Sequence, residues 1–460
     1  MKIVEIKKFF PLGVLIFLGL FAYPAFKLLT FYCGGDLGTG IYVQAMGQMS
    51  FKNLNPLLTL SGTTFFGEHF QPIILLFSFI FKFLSPLIGL HFVEVIFVLL
   101  SALPIFFIWE RKKIGAKVTV LAVFYLIFNK AVTTHIGGGI NTIEWAALPL
   151  GLLFYFIIYN NKPGIFWSLF LLMLLGEQFV LLSPGLILFY LLKKENLSLH
   201  KVRNQNFAKF ILLFSALWFG GAMYLSGMNE LKLIPHGSYD VTKWRMILEL
   251  FLPLVPLMYV NWKYKDGFNL KILWIALPLL LYVILNGLWA SAHASYIPVI
   301  FLFVVMPVNL KGTGTVTDTN FGQTFIALAL LIFSNTFKIL ENIELITHKK
   351  ESLQCPTNKA RVKAIAEATH FLNFNQEGSV LVEGHLARGI SMRPNIYLMF
   401  GSIGSKSGYK YLYLEKSSAG NSFPNAKEKV LEVYDKFKDL AAEVIFDNDY
   451  VFLGAGDFPQ

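Results

Sequence analysis

The sequence predicts an all-α polytopic membrane bundle of about 11 transmembrane helices, followed by a small C-terminal α/β domain on the extracytoplasmic side. Three observations predict it. Apolar runs of about 20 residues, enough to span a hydrocarbon core of ~30 Å, recur from the N-terminus to about residue 340. Only 15% of the 460 residues are charged, against about a quarter in a soluble domain, and the mean hydropathy is +0.58. Beyond residue 340 the apolar runs shorten and alternate with amphipathic stretches, and basic and acidic residues balance at 14 and 15. A soluble helical protein is excluded, because its helices would carry polar stripes at 3.6-residue spacing.

Charge orders the bundle. The residues before Glu341 hold 25 basic and 13 acidic side chains, and the excess lies between hydrophobic segments. That is the signature of orientation by the positive-inside rule, not of nucleic-acid binding. The first span, about 9–31, follows Lys2, Lys7 and Lys8, so the N-terminus is cytoplasmic. The run is long for a signal peptide, and no small-x-small cleavage site follows it. A long outer loop, 32–91, comes next. Within it, 71–84 is apolar but short and contains Lys82, so it reads as an interfacial or re-entrant helix. Span two, about 92–109, ends at Glu110-Arg111-Lys112-Lys113, which belongs in the cytoplasm; counting 71–84 as a span would place that cluster outside. The remaining spans are read at about 117–133, 142–159, 164–176, 178–192, 207–226, 246–261, 271–286, 296–310 and 321–340. The odd count puts residues 341–460 outside.

In that C-terminal domain the pattern predicts helices at 359–374 and 426–440. Strands are predicted at 380–382, 396–400, 411–414, 444–446 and 450–453. No GxGxxG or P-loop motif is present. Cys33 and Cys355 form no metal-type cluster and no CxxC.

Ionisable groups near lipid are costly, so those at span ends are the candidates for function. They are Asp36, Glu68, His69, His135, Glu144, Glu177, Lys243, Arg245 and His293, and all fall on the outer face in this topology. Glu94 lies just inside span two, where it joins the cavity or pairs within the bundle. Asp36, in Cys33-Gly34-Gly35-Asp36-Leu37-Gly38, serves as a general base, a metal ligand or the N-cap of a helix beginning near Leu37. Glu68 beside His69 suits a metal or a phosphate-bearing ligand, or simple capping ahead of Pro72. Glu144 and Glu177 are deep acids that bind a ligand or pair with Lys243 or Arg245. His293 and Tyr296 are weaker candidates, since a lone histidine near an interface is more often structural and tyrosine there usually serves as an interface anchor.

A family resemblance follows from these motifs in order: Asp36-Leu37-Gly38 with Gln44; His69-Phe70-Gln71-Pro72-Ile73; Glu144 with Leu148-Pro149-Leu150; Glu177; and His293 with Tyr296. The chain resembles the GT-C superfamily of membrane glycosyltransferases, and more narrowly the bacterial multi-pass family filed as domain of unknown function 2079. It departs from that family's pattern at Val43, at Thr142-Ile143 and on both sides of Glu177. The resemblance implies a bacterial cytoplasmic membrane enzyme that moves a sugar from a polyprenyl-phosphate lipid to a glycan, lipid or protein acceptor. It implies Asp36 as catalytic base, assisted by His69 with Glu68. Lys243 and Arg245 would face the leaving phosphate, and Gln44, His135, Glu144, Glu177, His293 and Tyr296 would contact substrate. A divalent metal is compatible with these acids, but no ligand spacing demands one. A transporter or flippase of a lipid-linked or polar solute, and a non-catalytic scaffold, are the alternatives. One-sided clustering of the polar groups favours the enzyme, since transporters place substrate near the midplane between related halves.

Overall fold

The computed structural model describes residues 11, 13–30, 37–68, 70–81, 86–111, 123, 127, 128, 142–192, 198–226, 339, 340, 342, 343, 358–399, 408–416 and 427–458. Over these residues the chain is mostly helical, with a C-terminal mixed sheet of five strands.

Helix α1 (13–30) is apolar and contains a π-helical turn at Leu18–Ala22. Helix α2 (Leu37–Gln48) begins directly after Asp36. A two-residue antiparallel hairpin follows, β1 (Leu57–Leu58) with β2 (Thr63–Thr64). The short helix α3 (Phe65–Glu68) leads to α4 (Ile73–Ile80). At eight residues α4 is about 12 Å long, too short to cross a bilayer.

Helices α5 (Pro86–Leu100) and α6 (Ala102–Arg111) meet at a turn at Ser101. The apolar stretch therefore starts near residue 86, earlier than the sequence pattern suggested. His91 and Glu94 both lie within the helix, buried and paired: His91 Nδ1 is 3.3 Å from Glu94 Oε2, and His91 Nε2 is 3.4 Å from the Ala22 carbonyl. Glu94 thus pairs inside the bundle.

A 3-10 turn (Thr142–Ala146) leads into α7 (Ala147–Ile158), which packs along α8 (Lys162–Leu175). The reversal between them is local chemistry. Asn160 takes a left-handed conformation (φ 51°), which Asn tolerates. Asn161 then caps α8, its side chain accepting from the Gly164 amide at 3.1 Å. A Cβ on Gly164 would sit 2.4 Å from the Phe156 ring, so only glycine lets the two arms close. A second 3-10 turn (Glu177–Leu181) joins α8 to α9 (Leu182–Leu192), which packs on α10 (Ser198–Ser226). Helix α10 begins earlier than the span read at 207–226, taking Lys201 and Arg203 into its first turns.

Among the described residues, two helical stretches are long and apolar enough to cross a membrane, Pro86–Pro104 and Gln205–Ser226. The second leaves Leu212, Leu213, Leu217 and Leu225 more than half exposed. The spans read at 117–133, 246–261, 271–286, 296–310 and 321–340 lie essentially outside the described residues.

The C-terminal domain comprises α11 (Lys359–Phe374), β3 (Val380–Val382), α12 (Gly384–Ile390), β4 (Ile396–Leu398), β5 (Tyr409–Glu415), α13 (Lys427–Phe437), β6 (Ala441–Asp447) and β7 (Val451–Phe458). The strand order is β4-β3-β5-β7-β6; β3 runs parallel to β4 and β5, and β7 antiparallel to β5 and β6. Side chains alternate between two cores, as strand period requires. Val380, Val382, Tyr411, Tyr413, Val451 and Leu453 meet α11 and α12 on one face. Leu381, Leu412, Leu414 and Phe452 meet Val430 and Phe437 of α13 on the other. The result is a three-layer α/β domain, in line with the alternation in the sequence.

This domain is seated on the loop after α1. Leu60, between β1 and β2, is buried in the core of the C-terminal domain, and Ile41 of α2 packs against that core as well as the helical one. Helix α12 lies against α2.

Candidate functional site

Among the residues singled out from sequence, the described part of the chain contains Gln44, Glu68, Glu144 and Glu177. Asp36, His69, His135, Lys243, Arg245, His293 and Tyr296 lie outside the described residues, as do Cys33 and Cys355. Glu68 closes α3 and Glu144 sits in the 3-10 turn before α7. Glu177 opens the 3-10 turn after α8.

Three segments distant in sequence converge. The Glu177 carboxylate accepts the backbone N–H of Phe70 at 3.1 Å, so the strip at Phe70 and Gln71 lies against the α8–α9 junction. The Thr142 hydroxyl donates to the Leu175 carbonyl at 3.1 Å, which ties the turn bearing Glu144 to the same junction. The Tyr42 hydroxyl donates to Gln71 Oε1 at 2.7 Å, both groups buried, which brings in α2, the helix that starts after Asp36. Aromatic packing backs the strip: the Phe70 ring lies 5.1 Å from Phe66 and 5.7 Å from Trp218 of α10.

Beside each of these contacts stands a buried donor that sequence reasoning passed over. Gln71 Nε2, Trp145 Nε1 and Gln178 Nε2 have no hydrogen-bond partner among the described residues, and all three side chains are at least 96% buried. Each lies within two residues of a candidate: Gln71 of His69, Trp145 of Glu144, Gln178 of Glu177. An unmet buried donor costs about 1–3 kcal/mol, so each of these three N–H groups is held at a cost to stability. The signal available in sequence was the proximity of uncharged polar residues to the acids. Such residues are common enough in apolar helices that proximity alone has little force.

Gln44 has a different assignment. Its buried amide donates to Thr59 Oγ1 at 2.9 Å and to the Arg393 carbonyl at 3.2 Å, and accepts the Leu60 amide at 3.2 Å. Its hydrogens are committed to the joint with the C-terminal domain.

A second polar cluster lies at the carboxyl ends of the parallel strands β3 and β5. Arg361 donates to both oxygens of Glu415, at 2.6 and 2.8 Å, and His385 Nε2 lies 2.6 Å from Glu415 Oε2. His385 Nδ1 faces Glu383 Oε1 at 3.6 Å, and Glu383 Oε2 accepts the Glu415 amide. Burial pushes the Glu383 carboxyl above the usual range, against the pull of His385. Burial would raise Glu415 too, but hydrogen bonds from His385 and Arg361 outweigh it and hold that carboxyl at about 2. The cluster fastens α11 and α12 to the strand ends. Among the described residues no group of three or more His, Cys, Asp or Glu side chains is placed to hold a metal ion.

No family model matches the sequence, and no curated protein matches it.

Proposed function

We propose that the chain is a multi-pass membrane glycosyltransferase of GT-C type that moves a sugar from a polyprenyl-phosphate donor to an acceptor at the outer membrane face. The observation that carries this reading is the Phe70–Glu177 contact. It joins two motifs more than a hundred residues apart, both picked from sequence as costly polar sites, and the adjacent buried donors of Gln71, Trp145 and Gln178 suit hydroxyl and phosphate oxygens. The seating of the C-terminal domain on the first loop also supports it, because both would then lie on one side of a bilayer crossed by α1.

In this reading Asp36, at the start of α2, removes the proton of the acceptor hydroxyl. The acceptor oxygen attacks the anomeric carbon, the bond to the phosphate oxygen breaks, and polyprenyl phosphate leaves with both electrons of that bond. Lys243 and Arg245 stabilise the leaving phosphate, and His69 assists with Glu68. Glu144 and Glu177 hold sugar hydroxyls, and His135, His293 and Tyr296 also contact substrate. Transfer in reconstituted membranes is expected to vanish in Asp36→Asn at unchanged expression; full transfer by that variant would refute the assignment.

A further inference from the structure

We infer that the C-terminal domain is a permanently seated positioning element for the helix that follows Asp36, not a tethered appendage. The seat is one face of α2. Gly40, Gln44 and Gly47 stand at i, i+4 and i+7 and so share that face. A Cβ on Gly40 would lie 3.8 Å from the Arg388 Cα, and one on Gly47 would lie 3.1 Å from the Met392 Cα. Backbone therefore approaches backbone at both ends of the contact, with Gln44 hydrogen-bonded between them to Thr59, Leu60 and the Arg393 carbonyl. Thr59 extends the joint to the sheet: its hydroxyl donates to the Pro394 carbonyl at 3.0 Å and accepts the Ile396 amide at 3.1 Å, closing the edge of β4.

The domain side of this joint is braced. Arg393 is fully buried, and its guanidinium donates to the carbonyls of Leu372, Asn375 and Gly378 at the end of α11. The turn that meets Gln44 is thereby fixed to the helix behind it. The opposite side of α2 is tied by Tyr42 to Gln71. Helix α2 is clamped between the C-terminal domain and the strip leading to Glu177. Undocking would expose Leu60 and leave one Gln44 amide hydrogen and the Arg393 carbonyl without their partner, whereas mobile domains meet through wetter, more polar surfaces. Gln44 and Thr59 are positioning residues in this scheme. The joint itself stands apart from the proposed chemistry; only its relation to Asp36 rests on that reading.

The test uses the full chain carrying Gly47→Cys and Met392→Cys in a Cys33→Ser, Cys355→Ser background, with a protease site added near residue 350. The two Cβ atoms would lie 3.4 Å apart, close to the ~3.5–4.5 Å of a disulfide. Near-complete intramolecular cross-linking under mild oxidation is expected, with hydrogen exchange over 37–48 unchanged between oxidised and reduced protein. Gly47→Phe, which wedges the joint, should speed exchange over both 37–48 and 384–398 by about tenfold or more. Gly221→Phe, whose site has nothing within 4 Å, should leave both alone. Cross-linking no better than for a Gly221→Cys, Met392→Cys pair, or an oxidised form with altered exchange over 37–48, would overturn the inference. Should polyprenyl phosphate bind none of these forms while the cross-link forms, the proposed function falls and the joint stands.

Discussion

Replacing Glu415 by Gln removes the charge on which Arg361 and His385 converge, at nearly constant volume. The carboxyl is 1% exposed and is held at about 2 in the folded chain, against an ordinary value of 4.5. That difference corresponds to about 3 kcal/mol of stability at neutral pH. The sign follows from the direction of the shift. A carboxylate held below its unfolded value contributes fully above pH 4.5, and the contribution is lost as pH falls toward 2. Hydrogen exchange over 359–374 and 409–415 reads this locally. In the unmodified chain, protection beyond the intrinsic pH effect should decline between pH 4.5 and 2. Glu415→Gln should lower protection at pH 7 by about two orders of magnitude, the equivalent of ~3 kcal/mol, and should flatten the acid decline. Equal protection of the two proteins at pH 7, or a decline of the same size in the variant, would refute the reasoning.

Glu383 carries the opposite sign: its raised pKa contributes stability present at low pH and lost as pH rises through the folded value, so Glu383→Gln should protect β3 and α12 better in alkaline buffer, read by exchange over 380–390. Tyr42→Phe leaves Gln71 Oε1 without its donor and should cost about 1–3 kcal/mol in thermal unfolding of the detergent-solubilised chain. Gln71→Met in a Tyr42→Phe background removes the unmet Nε2 donor without orphaning the Tyr42 hydroxyl, so stability relative to Tyr42→Phe should hold or rise while retention of polyprenyl phosphate weakens; unchanged retention would count against a ligand role for that amide. Asn161→Ala should cost about 1 kcal/mol through loss of the α8 cap and leave lipid retention unchanged.

Much of the C-terminal domain was legible because its helices show their period or its apolar runs are bounded by polar stretches. Helix Lys359–Phe374 and strand Val380–Val382 match the sequence pattern residue for residue. Gly384–Ile390 was missed: at seven residues, with Leu386, Ala387 and Ile390 as its buried apolar positions, it presents no full amphipathic repeat. The start of the apolar stretch at Pro86 was masked by His91, which read as the end of the outer loop until its pairing with Glu94 is seen. Among the candidates, Glu144 and Glu177 stood out because charge within apolar stretches is rare. Gln71, Trp145 and Gln178 did not, because neutral polar side chains carry no such penalty until burial and lack of a partner are known. Gln44 illustrates the reverse. Its motif pointed to substrate, while its hydrogen bonds reach Arg393, almost 350 residues away, a contact no local pattern encodes.

The most direct test of the central claim is native mass spectrometry of the detergent-extracted chain with polyprenyl phosphate, compared with Asp36→Asn and with a Lys243→Ala, Arg245→Ala double variant. The account predicts that lipid is retained by the unmodified chain and by Asp36→Asn and is weakened in the double variant. Lipid retained by none of the three would contradict it.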